Sequence, residues 1–238
     1  MSTHAIERRA GVPARLPATA RRHLEWLAAG LALGFAVPFV FADLLDLPRD
    51  LYYGIYIAFV ATFFFAWARS TGQDLGEMVR RRTATAIALG LGFGGLVSLL
   101  VLKAADATSR PGGLQLAGAV VWRGVLYGAA DGLLLSAFPI LAVFAAFAGT
   151  RLRERLSGKL AIGAIALVAS LGMTAAYHAG YSDFRSGKIG QPLRGDALWS
   201  APTLLTLNPV GAPIAHAAMH VTAVLHSYDT DLFLPPHR

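Results

Sequence analysis

The chain has 238 residues and no cysteine; it carries 21 Lys and Arg against 14 Asp and Glu, a formal net charge of +7. Hydrophobic residues make up 55% and charged residues 15%, whereas a soluble domain is about one quarter charged. These numbers exclude a disordered chain, a disulfide scaffold and a cysteine-based zinc site; they describe an integral membrane protein whose main partner is the lipid bilayer. The basic excess needs no nucleic acid to explain it, because membrane proteins gather Lys and Arg on their cytoplasmic side.

Residues 1–23 form a basic tail with Arg8, Arg9, Arg15, Arg21 and Arg22. A helix needs about 20 apolar residues to cross the hydrocarbon. The first such run is Leu24 to Ala42, stopped by Asp43, Asp46, Pro48 and Asp50. It is longer than the apolar region of a secretory signal, which is about 7–15 residues, although Val40-Phe41-Ala42 resembles a cleavage site. The next runs are Leu51–Ala68 and Ala84–Leu102. Phe63, Phe64, Phe65 and Trp67 in the former read as lipid-facing or interfacial. Gly90 and Gly94 in the latter read as a small-residue seam for helix packing. Ala117–Gly149 is too long for one ordinary span and contains Arg123 and Asp131. A fifth run covers Leu160–Ala179, and a broken one covers Ala201–Leu225. Asn208-Pro209 and Pro213 divide that last run into a half-helix, a turn and a helix ending near His226. Residues 181–199 read as an exterior loop, a solvated connector first and a gate second, in which Tyr181, Asp183, Phe184, Arg185, Lys188 and Gln191 follow His178. A short tail, 229–238, closes the chain.

The expected fold is therefore an all-α, polytopic transmembrane helical bundle of about six spans over 24–228, with a broken or re-entrant segment before the last helix. With the N-terminus inside, segments 1–23, 69–83, 150–159 and the C-terminal tail hold 14 of the 21 Lys and Arg, and the outside loops hold six. That bias predicts a multi-pass protein of the cell membrane with a cytoplasmic N-terminus. It also favours a single long or bent crossing for 117–149.

Charged and imidazole groups inside a bilayer are costly and mark candidate sites. Arg123 and Asp131 are eight residues apart, about 80° around and about 12 Å along a helix, so each needs a partner on another helix, a water-filled cavity or the interface. His216 and His220 share one helix face at i,i+4 spacing, and His178 ends the preceding span; together they are candidate ligands for one divalent metal ion, zinc among them. Asp131 is read as the one intramembrane carboxylate able to act as a base. A bis-histidine haem, a non-catalytic metal-binding or partner-binding membrane subunit, and a transporter remain alternative readings.

The last half of the chain, roughly Ala117 to Tyr228, resembles the CPBP family (CAAX-protease and bacteriocin-processing, also called Abi) of intramembrane metalloproteases. Asn208-Pro209, Pro213 and His216-x-x-x-His220 look like its final His-x-x-x-Asn motif, with His220 in the Asn position. Trp122-Arg123-Gly124 looks like the end of Glu-Glu-x-x-x-Arg, and Thr174-x-x-x-His178 like Phe-x-x-x-His. The resemblance implies a metal-dependent endopeptidase acting on a membrane-protein or peptide substrate, with Arg123 stabilising the site. Gly118 and Ala119 stand where the family has two glutamates, one of which is thought to activate water, so the resemblance equally implies a degenerate, inactive member.

Overall fold

The computed structural model describes residues 17–185, 187–229 and 233–235. His4, Arg8, Arg9, Arg15, His237 and much of both tails lie outside them. Among the described residues every regular element is helical, and the chain is an all-α bundle. Five helices are long and apolar enough to cross a membrane, which makes this a multi-pass membrane protein. They are α1 (Ala18–Leu44), α2 (Arg49–Thr71), α4 (Thr83–Ala104), α5 (Gly113–Ala146) and α6 (Leu156–Ala179). A short α3 (Leu75–Arg80) links α2 to α4.

Local chemistry sets these boundaries. Pro48 precedes α2, where a missing N–H costs nothing, and Gly72 ends it at φ 71°, a left-handed cap that favours glycine. Asp74 caps α3 by accepting the Glu77 N–H at 2.9 Å. Pro38 lies within α1, and the turn after it, Phe39–Leu44, is π-helical. Such local re-pairing lets a spanning helix tolerate proline.

Most of the 117–149 region lies in one helix long and apolar enough for a single crossing, the reading its charge pattern favours. α5 runs 34 residues and is 72% buried over its apolar window, against 28–44% for the other four. It is the central helix. Two stretches of it, Val120–Leu126 and Gly132–Ala137, are π-helical. Insertions of this kind widen a helix and often accompany functional sites.

Residues 181–199 differ from the expected exterior loop. They fold into α7 (Ser182–Arg185) and α8 (Gly190–Trp199), and α9 (Ala201–Thr206) follows. The chain then turns at Asn208, whose side-chain amide donates to the Val79 and Arg81 carbonyls at 2.8 and 2.7 Å. The last helix, α10 (Gly211–His226), carries Pro213 in its first turn. It runs alongside α4 in the same direction. Ser98 Oγ donates to the Ala218 carbonyl at 3.2 Å, and the Thr108 N–H donates to the His226 carbonyl at 3.0 Å. The end of α10 therefore lies at the face opposite the start of α1, where Arg22 reaches the Ser70 carbonyl. That overturns the expectation of a C-terminal tail on the N-terminal side. The physical reason is that α8 and α9 carry the chain back across the bundle, where a loop was expected. The charge bias survives, since the tail contributed one arginine.

The glycine seam forms as expected. A β-carbon at Gly90 would lie 2.7 Å from the Gly211 carbonyl oxygen, and one at Gly94 2.8 Å from the Ala218 β-carbon. The aromatic run on α2 departs from its expected lipid-facing role: Phe63 and Phe64 are 5% exposed and Trp67 0%, while Phe65 alone faces out at 62%. Trp67 is drawn inward because its Nε1–H donates to His23 Nδ1 at 3.2 Å. The same helix contributes Tyr52, Tyr53 and Tyr56 to a buried aromatic cluster with Tyr127, Tyr177 and Tyr181. Tyr53 stacks on Tyr127 at 3.7 Å. Tyr181 donates to Tyr177 at 2.6 Å, the Tyr52 and Tyr181 hydroxyls are 2.7 Å apart, and Tyr127 bonds to Tyr177.

Gly94→Leu lowers the thermal midpoint of the detergent-solubilised protein, because overpacking costs about 1–3 kcal/mol. Gly92→Leu, with nothing within 4 Å of its β-carbon, leaves the midpoint unchanged. Equal midpoints for the two variants would contradict the α4–α10 seam.

Candidate metal centre

Close backbone contact between α5 and α10 builds the site. Gly124, Gly128 and Gly132 repeat every four residues along the α5 face turned to α10. A β-carbon at Gly128 would sit 2.8 Å from Ala217 Cα and 2.9 Å from His220 Cδ2; one at Gly132 would sit 2.6 Å from Pro213 Cα. The two backbones touch, and Asp131, between the two π-helical stretches, is delivered to the His216/His220 face.

One ligand atom each from Asp131, His216 and His220 lies within 4.8 Å of the others. All three residues are buried, at 4%, 1% and 1% exposure. His220 Nε2 is 3.3 Å from Asp131 Oδ2, longer than the usual N–H···O distance of about 2.9–3.0 Å. Two atoms each about 2.0–2.1 Å from a tetrahedral zinc would be roughly 3.4 Å apart. The spacing thus suits two ligands of one ion at least as well as a hydrogen bond. Asp131 Oδ1, both nitrogens of His216 and Nδ1 of His220 are buried with no partner. An unpartnered buried polar group costs about 1–3 kcal/mol, and a bound ion would take up one lone pair from each of the three side chains. Two imidazoles and a carboxylate are a donor set that zinc and other divalent transition ions accept, and the residues fit such an ion.

His178 lies on the wall of the same cavity but outside this three-residue group. Its Nδ1 is 2.8 Å from the Thr174 carbonyl. Nδ1–H donates there, which leaves Nε2 unprotonated in the neutral ring. The cavity holds about 300 Å³. Asp131 and the three histidines line its buried end, Val97 and Met219 its apolar wall, and exposed Gln191 and Arg194 its mouth.

Arg123 is elsewhere. It does not line the cavity but grips Asp50 through two bonds of 2.7 Å, with its guanidinium 4.9 Å over the Tyr228 ring. The structure brings together Asp131, His178, His216 and His220 and leaves Arg123 apart. Of the alternatives their eight-residue separation leaves, Arg123 and Asp131 each take a partner on another helix. Of the expected exterior loop, Tyr181 and Phe184 are buried, Phe184 packs 4.8 Å from the His178 ring, and Arg185 pairs with Asp43; Gln191 alone of the named residues lines the cavity.

Sequence reasoning missed two residues. Asp196 on α8 is a second buried carboxylate, so Asp131 is not the only one in the bundle. It is 0% exposed and accepts from Ser136, Ser170, Ser200 and Trp199 at 2.8–3.0 Å. Trp199 lies with its ring 4.2 Å from that of His216. Reading 181–199 as a solvated loop hid both, although Pro192, Asp196 and Trp199, the buried residues of α8, fall at helical spacing. The Gly124/Gly128/Gly132 repeat was also visible, on the same reasoning that identified Gly90 and Gly94. No protein-family model, no curated protein and no solved structure matches this chain.

Proposed function

We propose that this protein binds one divalent transition-metal ion, of which zinc is the natural candidate, through Asp131, His216 and His220. The observation that carries the reading is the convergence of a carboxylate and two imidazoles from two helices within 4.8 Å, with four of their polar atoms buried and unpartnered. The function that suits such a centre, and that the CPBP resemblance implies, is metal-dependent endopeptidase chemistry on a membrane-protein or peptide substrate, in the cell membrane and with a cytoplasmic N-terminus. A bound ion of this kind polarises a carbonyl oxygen and lowers the pKa of water.

The chain's own residues divide that work differently from the division their spacing suggests. Asp131 sits among the ligands, so it holds the ion. His178 carries its proton on Nδ1 toward Thr174 and presents Nε2 as a proton acceptor in the cavity that the ligands share. The apolar wall at Val97 and Met219 excludes water and orders an apolar group beside the site. Arg123 serves the fold through Asp50. A non-catalytic metal-binding subunit is the second reading, favoured by Gly118 and Ala119 in the glutamate positions and by the capture of Arg123 away from the cavity.

Titration of the purified full chain with Zn²⁺ or Co²⁺ tests the metal reading. One equivalent binds; His216→Ala, His220→Ala and Asp131→Ala each weaken binding by at least tenfold, and His178→Ala weakens it far less. No saturable binding by the wild-type chain rejects the centre. Chelator-sensitive cleavage of membrane-tethered peptides then separates the two readings: the enzyme shows it, and the non-catalytic subunit binds the ion without it.

Arg123→Gln keeps the wild-type metal affinity while lowering the thermal midpoint, because it breaks a half-exposed ion pair worth about 1 kcal/mol or less. A large loss of metal affinity in that variant would return Arg123 to the site.

A further inference from the structure

The imidazoles around the cavity are not held alike. His178 is tied to the Thr174 carbonyl through Nδ1, and His220 faces Asp131 through Nε2. His216 has a hydrogen-bond partner on neither nitrogen. Metal-binding histidines ordinarily donate their second N–H to a carboxylate or carbonyl, which fixes the ring's orientation. His216 has no such partner. What it has is the Trp199 indole at 4.2 Å, with the rings inclined at 66°.

Trp199 is itself fixed. Its Nε1–H donates to Asp196 Oδ1 at 2.9 Å. Asp196 in turn accepts from Ser136 on α5 at 2.8 Å, from Ser170 on α6 at 2.9 Å and from Ser200, between α8 and α9, at 3.0 Å. A buried carboxylate with all its donors in place is rigid, because moving any member strands another in a low-dielectric interior. Gly195 completes the arrangement. A β-carbon there would run into the outer edge of the Trp199 ring, so glycine leaves the indole the room it occupies beside His216.

We propose that Gly195, Asp196 and Trp199 are positioning residues that orient the His216 imidazole for metal binding, with ring packing in place of the usual hydrogen bond. This rests on the metal reading above. Trp199 reaches neither nitrogen, so both stay free and the indole sets only the tilt of the ring. Asp196 acts at one remove, through the indole N–H.

The experiment uses the full chain in detergent with Co²⁺ as probe. Affinity and the visible ligand-field bands are read for wild type, Trp199→Ala, Trp199→Phe, Asp196→Asn and Gly195→Ala, with thermal midpoints recorded alongside. Loss of an outer-shell partner typically costs about 10–100-fold in metal affinity. Trp199→Ala falls in that range and shifts the bands. Trp199→Phe keeps a ring and recovers most of the affinity. Asp196→Asn and Gly195→Ala weaken binding several-fold. Where Trp199→Ala does not fold, the other three variants carry the test through their bands.

A metal-independent readout accompanies this. In the metal-free protein with isotope-labelled histidine, the His216 ring signals carry a ring-current displacement from the indole, which Trp199→Ala or Gly195→Ala changes. Wild-type affinity, bands and ring signals in folded Trp199 and Gly195 variants overturn the positioning role while leaving the metal centre intact. Failure of the wild-type chain to bind Co²⁺, with the ring-current effect present, overturns the metal centre and leaves Trp199 as the group that orients His216.

Discussion

The contact on which the site depends is the one between the backbones of α5 and α10. Three glycines at positions 124, 128 and 132 remove the side chains that would hold the helices apart, and the separation falls until hypothetical β-carbons would collide with main-chain atoms of the partner. Small residues serve this purpose in membranes, where lipid competes with side chains for apolar contact and close fit has to supply the attraction. The price of so close a contact is a loss of packing freedom. Asp131 cannot retreat from His220, and a carboxylate with two imidazoles is enclosed where water is scarce.

Elsewhere in the bundle, several buried polar groups are met by partners. Asp196 receives four donors, the Tyr52, Tyr127, Tyr177 and Tyr181 hydroxyls bond to one another, and Asn208 uses both its amide nitrogen and its oxygen in the turn before α10. The buried side-chain atoms left without a partner gather at the metal group, with Tyr53, Tyr56 and Thr174 supplying the rest. Among the described residues, four of the seven such atoms belong to Asp131, His216 and His220, the group proposed to hold an ion.

Much of this was legible in the sequence because hydrophobic runs about 20 residues long report directly on the bilayer's thickness. Five of the spans, the single crossing at 117–149 and the broken approach to the last helix follow from run length and charge alone. His216 and His220 were legible as a pair because i,i+4 spacing places two residues on one helix face whatever the tertiary structure. Segment 181–199 was not. Arg185, Lys188, Arg194 and Asp196 depress its hydropathy, yet Asp196 is buried by hydroxyls from α5 and the α6–α9 region that no local pattern connects to it. Phe63 and Trp67 were misplaced for a related reason: an aromatic residue next to a lipid-facing one can point either way, and His23, 44 residues away, decides for Trp67.

The distribution of charge adds a separate argument for an ion. Arg123 and Asp131 lie in one apolar stretch but too far apart along the helix to pair directly. The structure assigns Arg123 to Asp50, near the face where α2 begins, while Arg185 goes to Asp43. Asp131 has His220 Nε2 beside it, at a distance longer than an ordinary hydrogen bond. Buried carboxylates are ordinarily paired or coordinate a metal, because isolated charges are not tolerated in a low-dielectric interior. A divalent cation bound by all three side chains neutralises the carboxylate and takes up an imidazole lone pair from each ring at once. One occupant would then answer the charge and one nitrogen of each ring.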